Sequence, residues 1–344
     1  MLNDNHQRIA VIGAGPAGIS AAVAAAALGI EVDWYDKENG AGGKLNNYHQ
    51  LFPGRESAAS ILEDFIGTTG TNPVKKHFGI EIARIEKDNQ QFSLFSGTEQ
   101  VGVADSVIIA NGFDFFDARI KEEFGYGIYK RVVTSPDLER ILKNNSLDLR
   151  IDGADPSSIA FVHCVGSRDQ QVGINYCSRL CCITGIKQAI EIKELFPQCK
   201  VVNFYIDIRA FGTGYEELYR EAQEKHKVRF IRGRVSEASE NQQNKILLKA
   251  EDTLMSRPLK LTVDWLVLLV GMVPACSQIQ VDNHQVTDLD TGFFQMAKTF
   301  SGSRLAGQAG VFTAGACCGP MSIPEASASG RSAAMEAWQY LKNR

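Results

Sequence analysis

The chain has 344 residues and a mass of 37.7 kDa, enough for two domains with well-filled cores. Its composition, 44% hydrophobic and 22% charged, is that of a globular protein, and a net charge of −4 excludes the basic footprint of a nucleic-acid or anionic-membrane binder. The polar opening MLNDNHQ carries no apolar signal region, and the apolar stretches 21–30 and 263–273 fall short of the ~20 residues a span needs. A cytoplasmic protein with no membrane insertion is expected.

An apolar run at 8–12 predicts a strand ending in Gly13-Ala14-Gly15-Pro16-Ala17-Gly18. The alanine-rich stretch to Leu28 predicts a helix, and 30–35 a second strand, so this part reads as a βαβ unit. Further strands are predicted at 79–85, 92–96 and 106–110. A second alternating region opens with a strand at 159–164 and a helix over 177–196 carrying Leu180, Ile183, Ile186 and Ile190. Strand 201–208, helix 215–226, strands 228–231, 264–270 and 311–314, and a last helix ending near Leu341 complete the pattern. The expected class is α/β, with two doubly wound Rossmann-like units. Residues 1–114 with 281–344 are assigned to the first domain and 115–280 to the second.

The glycine run lies between a strand and a helix, the setting that a dinucleotide requires. Gly13 permits the tight turn, Gly15 lets the backbone approach a pyrophosphate, and Gly18 lets helix pack on strand. Pro16 and Ala17 open the helix whose free N–H groups would face the phosphates. Asp36, followed by Lys37, ends the second strand where an acidic residue takes the ribose hydroxyls.

Downstream segments indicate which nucleotide. Gly42-Gly43-Lys44 follows Asp36 at the spacing of flavoproteins of the glutathione reductase and thioredoxin reductase type. Ala110-Asn111-Gly112 resembles their strand-ending A-T-G segment. Gly310 to Gly315 resembles the late strand whose end meets the flavin ribityl chain, with Ala316 where those proteins usually carry Asp. The resemblance implies FAD rather than NAD, held by Gly13, Gly15, Pro16, Ala17, Gly18, Asp36, Lys37, Gly43, Lys44, Ala110, Asn111, Gly112, Gly315 and Ala316.

Of eight cysteines, Cys164, Cys177, Cys181 and Cys182 form a C-x12-C-x3-C-C pattern. Cys164 ends a predicted strand, and the other three are expected near the start of the next helix, Cys177 and Cys181 on one face. Four thiolates at one strand-to-helix turn can enclose a cubane iron–sulfur cluster, with Arg168, Arg179 and the helix dipole favouring its negative charge. Tetrahedral zinc, a redox disulfide and buried structural cysteine are the other readings. At this turn a second nucleotide domain would carry a glycine loop, but the chain reads His163-Cys164-Val165-Gly166-Ser167-Arg168-Asp169. No NAD(P)H cradle is therefore expected, although Arg209 stands where a 2′-phosphate could be read.

The segments HCVGSRDQQVGINYCSRLCC, FYIDIRAFGTGYEELYREAQE, VRFIRGRVSE, AEDTL and VLLVGMVP resemble the A-type subunit of heterodisulfide reductase, along essentially the whole chain. The resemblance implies FAD in the first unit and a [4Fe–4S] cluster on Cys164, Cys177, Cys181 and Cys182. It also implies a homodimer in a complex with B- and C-type subunits. The additional C-x2-C-x2-C-x3-C modules of methanogen members do not occur in this sequence, which looks like the short form found with sulfur oxidation, and electron bifurcation is not carried over. Lys187, five residues after Cys182, is a candidate for tuning flavin N5, with an ion-paired or solvated lysine as the alternative. The expected function is that of an electron-transfer oxidoreductase subunit in dithiol or sulfur oxidation. The rival is an NAD(P)H-dependent disulfide oxidoreductase, whose C-x4-C or C-x2-C motif is missing here. Cys199 and Cys276 read as structural, and Cys317-Cys318 as buried packing or a redox pair beside the flavin. The six scattered histidines suggest no metal site.

Overall fold

The computed structural model describes residues 7–67, 74–275, 279–282, 286–297 and 302–344. The chain divides into two compact units, Met1–Asn46 with Ala59–Asp114 and Val273–Arg344, and Asn47–Ala58 with Phe115–Met272. The expected domain limits differ from this division in two places. Residues 273–280 fall with the first unit, and the short segment 47–58 falls with the second.

In the first unit, β1 (Arg8–Ile12), α1 (Pro16–Ala27) and β2 (Glu31–Asp36) form the βαβ start. After α2 (Ala58–Gly67), β3 (Val74–Phe78) pairs with β2. The antiparallel strands β4 (Arg84–Asp88), β5 (Gln91–Ser96) and β6 (Glu99–Ala104) precede β7 (Ser106–Ile109). The strand expected at 79–85 is mostly a connection, because Arg84 is the first residue to pair, across to Phe95. The chain passes between units through β8 (Phe113–Phe115) and β17 (Met272–Pro274), and β18 (Gln280–Val281) pairs with β4. β19 (Val311–Thr313) then joins a five-stranded parallel sheet of order β19-β7-β1-β2-β3, and α6 (Ile323–Lys342) ends the chain. A Ser322–Glu325 capping box and Pro324 start α6. Small side chains of α1 (Ala17, Ala21, Ala25) and α6 (Ala333, Ala334, Ala337) share one core with Ile9, Val11, Trp34 and Ile108.

In the second unit, β9 (Val132–Thr134) leads into α3 (Ser135–Asn145), capped by a Thr134–Asp137 box. β10 (Ser158–Val165), α4 (Cys181–Leu195), β11 (Lys200–Tyr205), α5 (Tyr215–Glu224) and β12 (Arg229–Arg232) follow. The antiparallel meander β13 (Val235–Glu240), β14 (Ile246–Asp252) and β15 (Arg257–Val263) precedes β16 (Trp265–Val270). The parallel sheet has order β12-β11-β10-β16-β9, with its first βαβ strand, β10, at the centre. Ile159, Phe161, Ile183, Ile186, Ile190, Val267 and Leu269 form its core. Such two-faced burial explains the near-continuous apolar strands 159–165 and 265–270. Among the described residues no helix is long and apolar enough to cross a membrane.

Candidate functional site: a glycine cradle and a four-cysteine turn

The cradle forms at the carboxyl ends of the first sheet, where open α/β sheets bind ligands. Gly13 has φ +111°, and a Cβ there would stand 2.2 Å from Ala110 O. A Cβ on Gly18 would lie 1.8 Å from Gly13 O. Both positions therefore fix the turn by close approach. Gly15 differs, for its φ is −74° and an added Cβ meets no protein atom within 4 Å. Its side-chain direction points into open space, at the N-terminus of a helix with Pro16 at its start and no side-chain cap.

The remaining cradle residues converge from neighbouring elements. Gly42 N donates to Ala14 O at 2.7 Å, and a Cβ on Gly43 would stand 3.0 Å from the Gly15 Cα. Lys44 Nζ pairs with Asp114 at 3.3 Å, while Lys37 is exposed. The Asp36 carboxylate accepts from the amides of Ala14 and, at 2.8 Å, Glu38, and burial pushes its pKa up. Each oxygen keeps a further lone pair for a hydroxyl. Ala110, Asn111 and Gly112 extend from β7. Asn111 Nδ2 donates to Ala275 O at 3.1 Å, but its buried Oδ1 has no partner. Gly315 N donates to Ser329 Oγ at 3.1 Å, and Ala316 is buried beside it. An open glycine face, uncapped helical amides and a buried orphan oxygen fit a dinucleotide whose ring system needs a hydrogen-bond donor opposite Asn111.

The second site lies where β10 turns towards α4. Cys164, at φ +61°, ends the strand, and Cys181 and Cys182 are the first two residues of α4. All three are buried. Cys177 lies outside the helix, contrary to the expectation that it shares a face with Cys181. The reason is local. Ser178 N and Oγ bond Ser167 Oγ at 3.0 and 3.1 Å, Met272 N donates to Ser178 Oγ, and Arg179 takes φ +59°. These bonds compete with a helical turn. They also bring Cys177 back along the loop that begins at Cys164, with Arg168 N donating to Tyr176 O at 2.9 Å.

The thiols are electrically coupled. Cys181 shares hydrogen bonds with Cys164 and Cys182, which hold its own proton on and lower the pKa of both neighbours. Cys182 is taken down to about 4, by Cys181 first and then by His163. Arg179 N donates to Cys177 Sγ at 3.3 Å, and Arg168, paired with Asp207, adds positive charge beside Cys164 and Cys177. The uncapped N-terminus of α4 adds its dipole. Four sulfur donors, two of them poised as thiolates in a buried, positive turn, fit a thiolate-ligated iron–sulfur cluster. A cavity of ≈ 590 Å³ also reaches Cys164 and is lined by Lys121, His163, Arg168, Tyr205 and Arg234.

Lys187 sits further along α4 and is 1% exposed. Its Nζ pairs with Glu139, with Glu191 at 3.1 Å and with Gln50 O at 3.0 Å, so the ion-paired alternative describes its surroundings. His49 Nδ1 meets Glu191 Oε1 at 2.8 Å, and His49 N donates to Glu139 Oε2 at 3.0 Å. No sequence signal marks this network, whose members lie far apart in the chain. Cys199 is buried alone, its pKa pushed up to about 12 by that burial, and Cys276 lies outside the described residues. Glu194, Glu221 and His226 have ligand spacing, but Arg55 already pairs with both carboxylates, at 2.5 and 3.3 Å.

Comparison with known proteins agrees with this arrangement. Residues 7–161 match the pyridine nucleotide-disulphide oxidoreductase family. The chain is 39% identical over 246 residues to an A-type iron-sulfur subunit of the CoB–CoM heterodisulfide reductase of Methanopyrus kandleri, covering 70% of this chain and 37% of that protein. It is also 39% identical over 240 residues to the A-type subunit of the H2:CoB-CoM heterodisulfide,ferredoxin reductase of Methanothermobacter thermautotrophicus, covering 67% and 36%. It thus spans little more than a third of these curated relatives. The thioredoxin reductase of T. acidophilum superposes with a TM-score of 0.68 at 20% identity, over 97% of this chain and 98% of that one. The Lactococcus lactis enzyme gives 0.70 at 17%, over 98% and 100%. Over about 70% of its length the chain is a homologue of the A-type subunits of heterodisulfide reductase, built on the fold of the thioredoxin reductase-type oxidoreductases.

Proposed function

We propose that the protein is an FAD- and [4Fe–4S]-containing electron-transfer subunit of a heterodisulfide reductase-like complex, acting in dithiol or sulfur oxidation. The observation that carries this reading is the set of four cysteines standing where a second nucleotide domain would carry a phosphate loop. When bound, the flavin supplies a two-electron carrier and the cluster a one-electron carrier. The residues of the chain do the rest. Gly13, Gly15 and Gly18 admit the pyrophosphate, Asp36 takes ribose hydroxyls, and the segment Ala110–Gly112 with Gly315 and Ala316 borders the flavin. Cys164, Cys177, Cys181 and Cys182 hold iron, with Arg168 and the first turn of α4 offsetting the negative charge. A homodimer working with B- and C-type subunits in the cytoplasm follows from the resemblance and from the names of the relatives.

Iron, acid-labile sulfide and flavin measured per chain in anaerobically prepared protein test the reading. Changing any one of the four cysteines to Ser should lower iron and sulfide while leaving FAD in place, because the cradle belongs to the other unit. Cys199→Ser should leave iron unchanged. Zinc, or no metal, in reconstituted wild-type protein would overturn the cluster assignment.

A further inference from the structure

A second pair of thiols lies outside the four-cysteine turn. Cys317 and Cys318 occupy a turn of 3-10 helix, Gly315–Cys318, directly after β19, and their sulfurs stand 3.8 Å apart. Cys317 is fully buried, with Sγ 3.1 Å from Ala314 O and 3.4 Å from Ile109 O. Cys318 is partly exposed. We propose that Cys317 and Cys318 form a thiol–disulfide exchange site that reduces small disulfides, with Cys318 the attacking and Cys317 the resolving sulfur. This deepens the oxidoreductase reading by naming a substrate class, but it needs neither the cluster nor the flavin.

The division of roles follows from access and charge. The hydrogen bond from Cys317, with a further one from Thr313, lowers the Cys318 pKa, so the sulfur that a substrate can reach is also the better thiolate. Attack on a disulfide RS–SR forms a Cys318–S–SR bond and releases RS⁻. Cys317 then displaces the second RS⁻, closing a Cys317–Cys318 disulfide. The thiol protons leave with the two RSH products, so RSSR gains two electrons and the pair loses two.

Adjacent Cα atoms are about 3.8 Å apart, below the ~4.4–6.8 Å usual for disulfides, so the closed ring is strained. A strained disulfide is readily reduced, which suits a cycling site and not a structural staple. The flanking Gly315 and Gly319, at φ +76° and +136°, supply backbone freedom for closure.

The test uses reduced, full-length protein under anaerobiosis, with bis(2-hydroxyethyl) disulfide as the probe. After quenching with iodoacetamide, trypsin releases residues 305–331, in which 317 and 318 are the only cysteines. Wild-type peptide should lose two hydrogens and escape alkylation, at least about tenfold faster than the buried Cys199 reacts. Cys317→Ser should accumulate the mixed disulfide on Cys318, and Cys318→Ser should leave Cys317 as a thiol. Two alkylated thiols in the wild type, or a mixed disulfide that never closes, would overturn the proposal. Flavin and iron counted in the same samples separate that failure from a failure of the cofactor assignment.

Discussion

Gly15 and Gly18 lie three residues apart in one turn, yet the structure assigns them opposite demands. A Cβ on Gly18 collides with Gly13 O at 1.8 Å, so Gly18→Ala must push helix from strand. Overpacking of this kind costs about 1–3 kcal/mol or more, and the thermal midpoint of the variant should fall with or without flavin. A Cβ on Gly15 meets nothing and its φ suits any residue, so Gly15→Val should fold normally. Its side chain would instead fill the space in front of the helical amides. Flavin absorbance per chain should therefore drop while the thermal midpoint of the apoprotein stays unchanged. Full flavin retention would show that the cradle is misassigned. This turn is legible in the sequence because its contacts are made by residues close together in the chain or by a strand with its own apolar signature. Cys177 is misplaced by spacing for a related reason. Its separation from Cys181 suits a helix, but the Ser167–Ser178 bonds and the backbone of Arg179 end the helix early, and spacing alone cannot weigh them.

At the scale of elements, the unexpected feature is segment 47–58, which leaves its sequence neighbours to join the second unit. It is fastened over α4 and α3 by His49, by Gln50 and by the buried Lys187, Glu139 and Glu191. The partners of His49 lie 90 and 142 residues away, so no local pattern could announce them. Two carboxylates around one ammonium leave a net negative charge, which an imidazolium at His49 balances. The hydrogen bond to Glu191, aided by the charge of Glu139 and opposed by burial and by Lys187, raises the pKa of His49. A raised folded-state value means that this stability is complete below the unfolded value of ~6.5 and is lost as pH rises through the folded one. Because the His49 side chain is 35% exposed, the loss should stay under about 1 kcal/mol. Denaturant midpoints followed from mildly acid to mildly alkaline pH should show that decline in the wild type and a flatter profile in His49→Gln. Equal slopes would mean that His49 carries no linked proton. Glu139→Gln provides the contrast, since it weakens a fully buried ion pair and should cost several kcal/mol, on the order of 3–5, at every pH where Lys187 is charged.

Across the whole molecule, the same sheet is built twice, with the first βαβ strand of each unit at its centre. Two such units can be inferred from the alternation of apolar strands and helices, although no repeat is visible in the residues. Core positions ask only for apolar side chains of suitable volume, so the order of strands survives while the sequence diverges. The antiparallel meander β13–β15 is hard to see in the sequence because its alternating, half-exposed strands carry charges on one face, as at Lys249 and Glu251. What separates the two units chemically is the turn after the central strand. In the first it is a glycine cradle backed by uncapped amides, and in the second it is Cys164 with Gly166, Arg168 and the loop that returns Cys177. The cavity beside Cys164 offers Lys121, Arg168 and Arg234 to an anion, which keeps the nicotinamide-dependent reading open to test. Two of those cations are already committed, however. Lys121 pairs with Glu123 at 2.8 Å and Asp169 at 2.9 Å, and Arg168 pairs with Asp207. A pyrophosphate there would face carboxylates, with no glycine backbone to approach. Neither NADH nor NADPH mixed anaerobically with the purified chain should therefore reduce its flavin on the timescale of a catalytic turnover, about 0.1 s for a typical enzyme. Stopped-flow absorbance of the oxidised flavin provides the measurement, with dithionite as the positive control. Bleaching by either nicotinamide within that time, but not after Arg234→Ala, would return the second unit to the pyridine-nucleotide class and place its cofactor in this cavity.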